Sequence, residues 1–435
     1  MKKIDSVLNA TLKKIEPKKE ELEFMNKSST DFLKQIKKTI ASSKIDTEPF
    51  IGGSFAKNTI VKKNHYDCDI FLRFKETNKD ISKITKKILD YTKIKYETVH
   101  GSRDYFRIPL TNYFCIELIP VKKVNSPKMA ENITDLSYSH VKYLNKKIKS
   151  QKTINDIKLC KAFCHAKECY GAESYINGFS GYSLELLIYH FKSFEKLLKE
   201  LTKKKYAPSH KKGSISGDDK IIIDIEKHHK NKKEILLNIN ESKLASPIIL
   251  IDPTYKERNV TAALNKETFE KFQKEAKKFL KNPSESDFKI KTENIEEIKN
   301  QATKNKHEFI EIKVSTKRQI GDIAGTKLKK FYKHLTEEIK KLYIVKKSGF
   351  AYDNIQTTNI YFVADMKKEI TLMGPFKNDS KNVKAFKKEH KNAKLKGNRY
   401  FSIKKINLTL KEFLTKWKTK NKDKIKEMSI SEFAL

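Results

Sequence analysis

In the stretch Phe50-Ile-Gly-Gly-Ser-Phe-Ala-Lys-Asn-Thr59, followed by Tyr66-Asp-Cys-Asp-Ile-Phe71, a glycine pair precedes two acids at spacing two. Gly52 and Gly53 after a short apolar strand allow tight backbone approach to a ligand. A helix starting near Ser54 would aim unpaired N–H groups and a positive dipole end at an anion, which makes this a phosphate seat. In a strand through Asp67-Cys68-Asp69 side chains alternate, so the two carboxylates share a face roughly 6.5 Å apart along the backbone while Cys68 and Ile70 point into the core. Two acids on one face can share divalent metal, and magnesium takes oxygen ligands and completes its shell with substrate phosphates. Cys115-Ile-Glu117-Leu-Ile-Pro120 supplies a third acid, because Glu117 interrupts an apolar, strand-like run where an unpaired charge is costly. Alone, Gly-Gly-Ser reads as an ordinary turn and Asp67 and Asp69 as the solvent face of an edge strand. The ordered combination reverses that preference.

Outward from this core, residues 1–45 carry apolar positions at helical spacing (Ile4, Val7, Leu8, Leu12, Ile15, then Phe24, Phe32, Leu33, Ile36, Ile40), broken at Pro17, which predicts two helices before the first strand. Residues 49–74 and 93–124 alternate as strands with a helical stretch over 80–91 between them, a mixed α/β arrangement. Residues 137–201 read as helical. The polar, Lys/His/Gly-rich segment 209–233 reads as an exposed hairpin or loop holding the short strand-like Ile221-Ile-Ile-Asp-Ile225. A helix over 266–280 stops at Asn282-Pro283. A second α/β segment follows, with strands at 309–314 and 359–364 and a helix over 326–342. The lysine-rich stretches 387–396 and 416–426 are solvated helix faces first and RNA contacts second.

The 435 residues hold 93 Lys+Arg against 54 Asp+Glu, a formal net charge of +39. A globular chain so charged needs a polyanionic partner, and lysines spread over its whole length suit nucleic acid better than a membrane surface. The apolar runs 184–189 and 247–251 fall far short of the roughly 18 residues of a spanning helix, so no membrane association is expected. No secretory h-region is read at the N-terminus, and five cysteines without a C-x-x-C pair agree with a reducing, cytoplasmic compartment. Cys160, Cys164 and His165 read as core residues before zinc ligands. Only six arginines occur (Arg73, Arg103, Arg107, Arg258, Arg318, Arg399), so each has a specific task to account for.

The glycine turn with Asp67, Asp69 and Glu117 resembles the active-site pattern of the nucleotidyltransferase superfamily related to DNA polymerase β. Further along, Leu159-Cys-Lys-Ala-Phe163, Tyr170-Gly-Ala-Glu173, Asn177-Gly-Phe-Ser-Gly-Tyr-Ser-Leu-Glu-Leu-Leu187, Ile251-Asp-Pro253 and Glu257-Arg-Asn-Val260 resemble the archaeal, class I CCA-adding enzymes (tRNA nucleotidyltransferases). The resemblance is strong over 45–265 and fainter beyond, where Leu372-Met-Gly-Pro-Phe376 and Lys381-Asn-Val-Lys-Ala-Phe386 still match.

It implies an α+β multidomain chain: a nucleotidyltransferase head with a polymerase β-like palm (1–140), a helical, nucleotide-binding neck (141–282), and an α/β body and tail that bind tRNA (283–435). It implies template-independent addition and repair of the 3′-terminal CCA of tRNA from CTP and ATP by two-metal-ion chemistry with Mg2+. By the resemblance, Asp67, Asp69 and Glu117 are the metal-binding catalytic acids, and Gly53 and Ser54 with Lys57 hold the triphosphate. Ser137, His140, Lys161 and Tyr170 contact the incoming nucleotide, and Arg258 with Asn259 reads its base edge. Glu117 stands where the family usually carries aspartate, and Lys57 where it often carries arginine. A poly(A) or oligoadenylate polymerase would share the acids but use ATP alone, and a catalytically silent RNA-binding protein would explain the charge without the acids. A homodimer is compatible with the same pattern.

Overall fold

Two amphipathic helices, α1 (Lys2–Ile15) and α2 (Lys19–Ser43), lead into the first sheet of the computed structural model, which describes residues 2–43, 45–75, 79–101, 103–203, 220–290, 293–317 and 319–435. The chain divides into two compact units, Met1–Ala172 with Ile176–Lys291, and Glu173–Tyr175 with Thr292–Leu435.

In the first unit β1 (Thr47–Ile51), β2 (Tyr66–Phe74), α3 (Ile81–Thr92), β3 (Glu97–Val99), β4 (Tyr105–Pro109) and β5 (Phe114–Lys122) build a sheet of order β1-β2-β5-β4-β3. β2 and β5 are parallel neighbours, so the chain between them must cross over, and it does so through α3 and the β3–β4 hairpin. Period-2 burial along β2 sends Tyr66, Cys68, Ile70, Leu72 and Phe74 into a core with Met25, Phe32 and Ile36 of α2 and Ile88 of α3. The acids between them are thereby left on the opposite face.

Helices α4 (Ser137–Lys147), α5 (Gln151–Ala166), α6 (Gly181–Phe191) and α7 (Phe194–Lys203) follow, then β6 (Ile221–Ile223), α8 (Lys232–Asn238), β7 (Ile248–Asp252), β8 (Tyr255–Asn259) and α9 (Lys266–Lys281). Edge-on aromatic packing of Phe163, Phe194, Phe272 and Phe279, each fully buried, ties α5, α7 and α9 together. Cys160 and Cys164 lie in the same core. The expected exposed loop over 209–233 needs correction where it is described: β6 is parallel to β7, with Ile221 and Ile223 buried against the helices. Three consecutive isoleucines fit a strand packed on both faces. Residues 209–219 lie outside the described residues.

In the second unit α10 (Ile295–Lys304), β9 (Glu308–Ser315), α11 (Gly321–Leu342), β10 (Tyr343–Tyr352), β11 (Thr357–Met366), β12 (Glu369–Phe376), α12 (Ser380–Glu389), β13 (Lys394–Lys396), β14 (Arg399–Lys405), α13 (Leu410–Lys420), α14 (Lys422–Glu427) and β15 (Glu432–Ala434) form two sheets, β10-β11-β9-β15 and β12-β14-β13. Leu328, Phe331, Leu335 and Ile339 at helical spacing on α11 cover Ile312, Val314, Ile360 and Phe362 of the larger sheet. Lys384, Lys387, Lys388, Lys391, Lys394 and Lys396 are all exposed on and after α12. Among the described residues no helix is long and apolar enough to cross a membrane.

Candidate active site

The parallel register of β2 and β5 sets Asp69 beside Glu117 and Asp67 beside Cys115, so three acids share one face of two adjacent strands. Burial, then repulsion from Asp67 and Glu117, pushes the Asp69 carboxyl up to about 7, against the pull of Lys57 and Lys63. Burial also raises Glu117, against the Arg107 guanidinium, which is its cross-strand neighbour and donates from Nη2 to Oε1 at 2.9 Å. Asp67 pairs with Lys63 at 3.6 Å. Among the described residues no three His, Cys, Asp or Glu side chains already converge on one point. The donor set nevertheless fits a hard divalent cation, since all three candidate ligands are carboxylates and a bound cation would relieve the burial and crowding that raise Asp69. Arg107 and Lys63 hold the other two acids.

No helix begins near Ser54. Residues 53–58 form a turn closed by Ala56 N–H to the Gly52 carbonyl at 3.0 Å and Thr59 N–H to the Ser54 carbonyl at 3.0 Å. A helix dipole therefore contributes nothing here, and positive charge comes from side chains. The turn leans on the acids: Gly52 N–H donates to the Asp69 carbonyl at 2.8 Å. Gly53 has φ +60°, and a Cβ there would lie 1.7 Å from Asp69 Oδ2.

Beside this turn is a cleft lined by Ser54, Thr59, Lys63, Asp67, Lys161, His165 and Tyr170 among others. Lys161 is 3% exposed within the buried run Leu159–Cys164 of α5, and Nζ donates to Thr59 Oγ1 at 2.7 Å and to Glu185 Oε1 at 2.8 Å. Lys57 donates to the other oxygen of Glu185 at 2.6 Å. His165 stacks on Tyr170 with ring centroids 3.8 Å apart, and burial, helped by Lys63 and Lys161, drops its pKa to about 4, so its ring is neutral at pH 7.

One turn earlier on α6, Tyr182 serves a second cluster. His140 stacks on its ring at 4.1 Å, and the fully buried Asp252 accepts from Tyr182 Oη at 3.1 Å. Asp252 Oδ2 also accepts from His140 Nε2 at 3.0 Å and from Arg258 Nη1. Burial opposes the Asp252 charge, but His140 and Arg258 overcome it and hold the carboxyl well below the usual carboxylate range. Burial lowers the His140 pKa, against the pull of Asp252. Ser137 opens α4, three residues before His140, on the same helix face.

Asn259 departs from its expected role as a base reader. Its Oδ1 accepts from Leu250 N–H, Thr261 N–H and Thr261 Oγ1, and its Nδ2 donates to the Lys243 and Ile248 carbonyls. Those bonds exhaust the amide, so Asn259 braces β7 against β8. Sequence reasoning gave no site role to Thr59, Lys63, Glu185, Tyr182 or Asp252, and read His165 as a core residue before a zinc ligand. Glu185 and Asp252 carried the same signal that marked Glu117, a lone charge at an apolar run. The remaining described arginines are also engaged: Arg73 lies over the Tyr138 ring, Arg103 grips the buried Asp135, and Arg399 donates to the Gly374 carbonyl. Arg318 lies outside the described residues.

Residues 155–289 match the family described as tRNA nucleotidyltransferase, second domain. The CCA-adding enzyme of Nanoarchaeum equitans is 39% identical over 257 residues, 58% of this chain and 59% of that one, so the match spans less than two thirds of that relative. The CCA-adding enzyme of Methanocaldococcus jannaschii is 28% identical over 81% of this chain and 76% of its own length. A solved structure of Cid1, described for its RNA terminal uridylyl transferase activity, aligns with 68% of this chain and 100% of its own at 11% identity and a TM-score of 0.49.

Proposed function

We propose that the chain is an archaeal-type CCA-adding enzyme with a polymerase β-like nucleotidyltransferase head, and that it adds and repairs the 3′-terminal CCA of tRNA from CTP and ATP without a template, releasing pyrophosphate; its similarity to curated CCA-adding enzymes and to the tRNA nucleotidyltransferase second domain supports this reading. The observation that carries this reading is the charge-crowded Asp69, set between Asp67 and Glu117 and pressed against the Gly53 turn, with a lysine-lined cleft alongside. Asp67, Asp69 and Glu117 would hold two Mg2+ ions. When bound, such ions supply Lewis acidity at the attacking 3′ oxygen and at the leaving pyrophosphate.

The chain's own groups do the rest. Ser54, Lys57 and Lys161 take the triphosphate, Tyr170 and the first turn of α4 flank the sugar, and Arg258 reads the base edge from a guanidinium fixed by Asp252. From residue 283 onward the lysines grip the tRNA backbone through phosphates and 2′-hydroxyls. The direct test offers Mg2+ and a tRNA ending at its discriminator base, with each nucleoside triphosphate singly and then together. Two C additions followed by one A support the proposal, A addition alone indicates an adenylate polymerase, and no addition indicates a silent RNA binder.

Two further expectations arise here. Arg258→Ala, and Asp252→Asn acting through the loss of Arg258's anchor, should each slow C and A addition by roughly 10–100-fold and raise U misincorporation, with tRNA affinity unchanged. Competition between CTP, ATP and UTP in single-turnover assays measures this. A loss confined to tRNA affinity would make Arg258 a phosphate contact instead. Affinity for tRNA should fall steeply as salt rises from about 50 to 200 mM, since each neutralised phosphate releases counterions. Charge reversal at Lys384, Lys388, Lys391 and Lys394 should flatten that dependence without altering the order C, C, A. A slope unchanged by the reversals would remove these lysines from the tRNA contact.

A further inference from the structure

Three segments distant in sequence meet on one carboxylate. Glu185, on α6, is 1% exposed. Its Oε2 accepts from Lys57 Nζ at 2.6 Å, and its Oε1 accepts from Lys161 Nζ at 2.8 Å and from Thr59 Oγ1 at 3.1 Å. A single salt bridge would need one lysine. Here the anion lies between two, one from the turn that carries Ser54 and one from α5, and Thr59 closes the ring by accepting from Lys161 at 2.7 Å. Two ammoniums brought this close in a buried setting repel each other, and removing the anion would leave an uncompensated buried charge.

We propose that Glu185 is a positioning residue for the triphosphate site, holding Lys57 and Lys161 both charged and mutually oriented so that they act on the phosphates as a pair. This rests on the reading that the two lysines bind the triphosphate. The cluster has one net positive charge, so the lysines are kept in place without a net charge of two in the buried region. The same helix supplies Tyr182 to the Asp252 cluster one turn away, so α6 ties the phosphate-binding end of the site to its base-reading end.

The electrostatics distinguish this role from a merely structural pair. Lys161 faces Lys57, Lys63, His165 and Glu185. Burial lowers its pKa, Lys57 and Lys63 lower it further, and Glu185 opposes them. With Gln at 185 the amide still hydrogen-bonds, but Lys161 becomes the ammonium that gives up its proton as pH rises. Triphosphate affinity then acquires a pH dependence beyond that of the wild type.

The experiment is magnesium-dependent CTP binding at equilibrium between pH 6 and 9 for the full-length wild type, Glu185→Gln, Lys57→Met, Lys161→Met and the double variant Glu185→Gln/Lys161→Met. The lysine variants should each lose about 10–100-fold in affinity, as single charge-assisted phosphate contacts do. Relative to wild type at the same pH, Glu185→Gln should lose at least about tenfold at pH 8, and the difference should shrink toward pH 6. The double variant keeps the cluster's net charge, so it reports even where Glu185→Gln alone folds poorly. Its loss should fall well short of the product of the single losses. Wild-type-like binding by Glu185→Gln while the lysine variants are impaired overturns the positioning role, as do fully multiplicative losses in the double variant. Unimpaired binding in both lysine variants fells the triphosphate reading, and the inference with it.

Discussion

Asp69→Asn is expected to slow single-turnover CMP addition to tRNA by about 1000-fold or more, a loss of roughly 4 kcal/mol of transition-state stabilisation, while making the protein more stable when divalent cations are chelated. Both signs come from one fact: Asp69 is buried and crowded by the other two acids, its carboxyl pushed up to about 7. For an acid whose folded pKa lies above its unfolded value of about 3.9, the folded state keeps a proton that the unfolded chain has released. The stability this contributes is complete below about pH 4 and is lost as pH rises through about 7. In EDTA the wild type should therefore lose stability across that window, and Asp69→Asn should flatten the loss by roughly 1–2 kcal/mol, discounted for partial solvation. Denaturant melts at pH 5 and pH 8 measure it. Glu117→Gln shares the catalytic loss but should gain less stability, because burial raises Glu117 too while Arg107 opposes it. Near-normal turnover in either variant would remove that acid from the metal-binding set.

Gly53→Ala is expected to be nearly as damaging to turnover, by about 100-fold or more, although an added methyl carries no charge. At φ +60° an L residue costs about 1–2 kcal/mol, and the new Cβ would arrive 1.7 Å from Asp69 Oδ2, so turn and acid cannot both stay in place. The two contributions separate in a cycle. In wild type the substitution should cost both the backbone strain and the clash, and in an Asp69→Ala background only the strain. Equal costs in both backgrounds would show that the turn does not lean on Asp69, and unchanged turnover would detach the turn from the chemistry altogether.

Much of this site was legible before any fold was known, because its first marks are local. Alternation along Tyr66–Phe74 put Cys68 and Ile70 inside and the two acids outside, as found, and Glu117 announced its need for a partner by sitting in an apolar strand. The helix foreseen at Ser54 failed because the Gly-Gly-Ser turn closes on itself and hangs from the Asp69 backbone, a restraint from the neighbouring strand. Asn259 looked free to read a base beside Arg258, yet packing of β7 on β8 consumed its amide.

By itself the sequence determined which residues are charged, which faces are apolar, and that Asp67 and Asp69 share one strand face after a glycine turn, because periods of two and 3.6 act over a few residues. Only the tertiary structure decided the pairings: Glu185 with Lys57, 128 residues away, and Asp252 with His140, 112 away. A lone charge in an apolar run shows that it must be neutralised. Which distant group does so depends on where the crossovers and helix packing deliver the chain, and no local pattern encodes that.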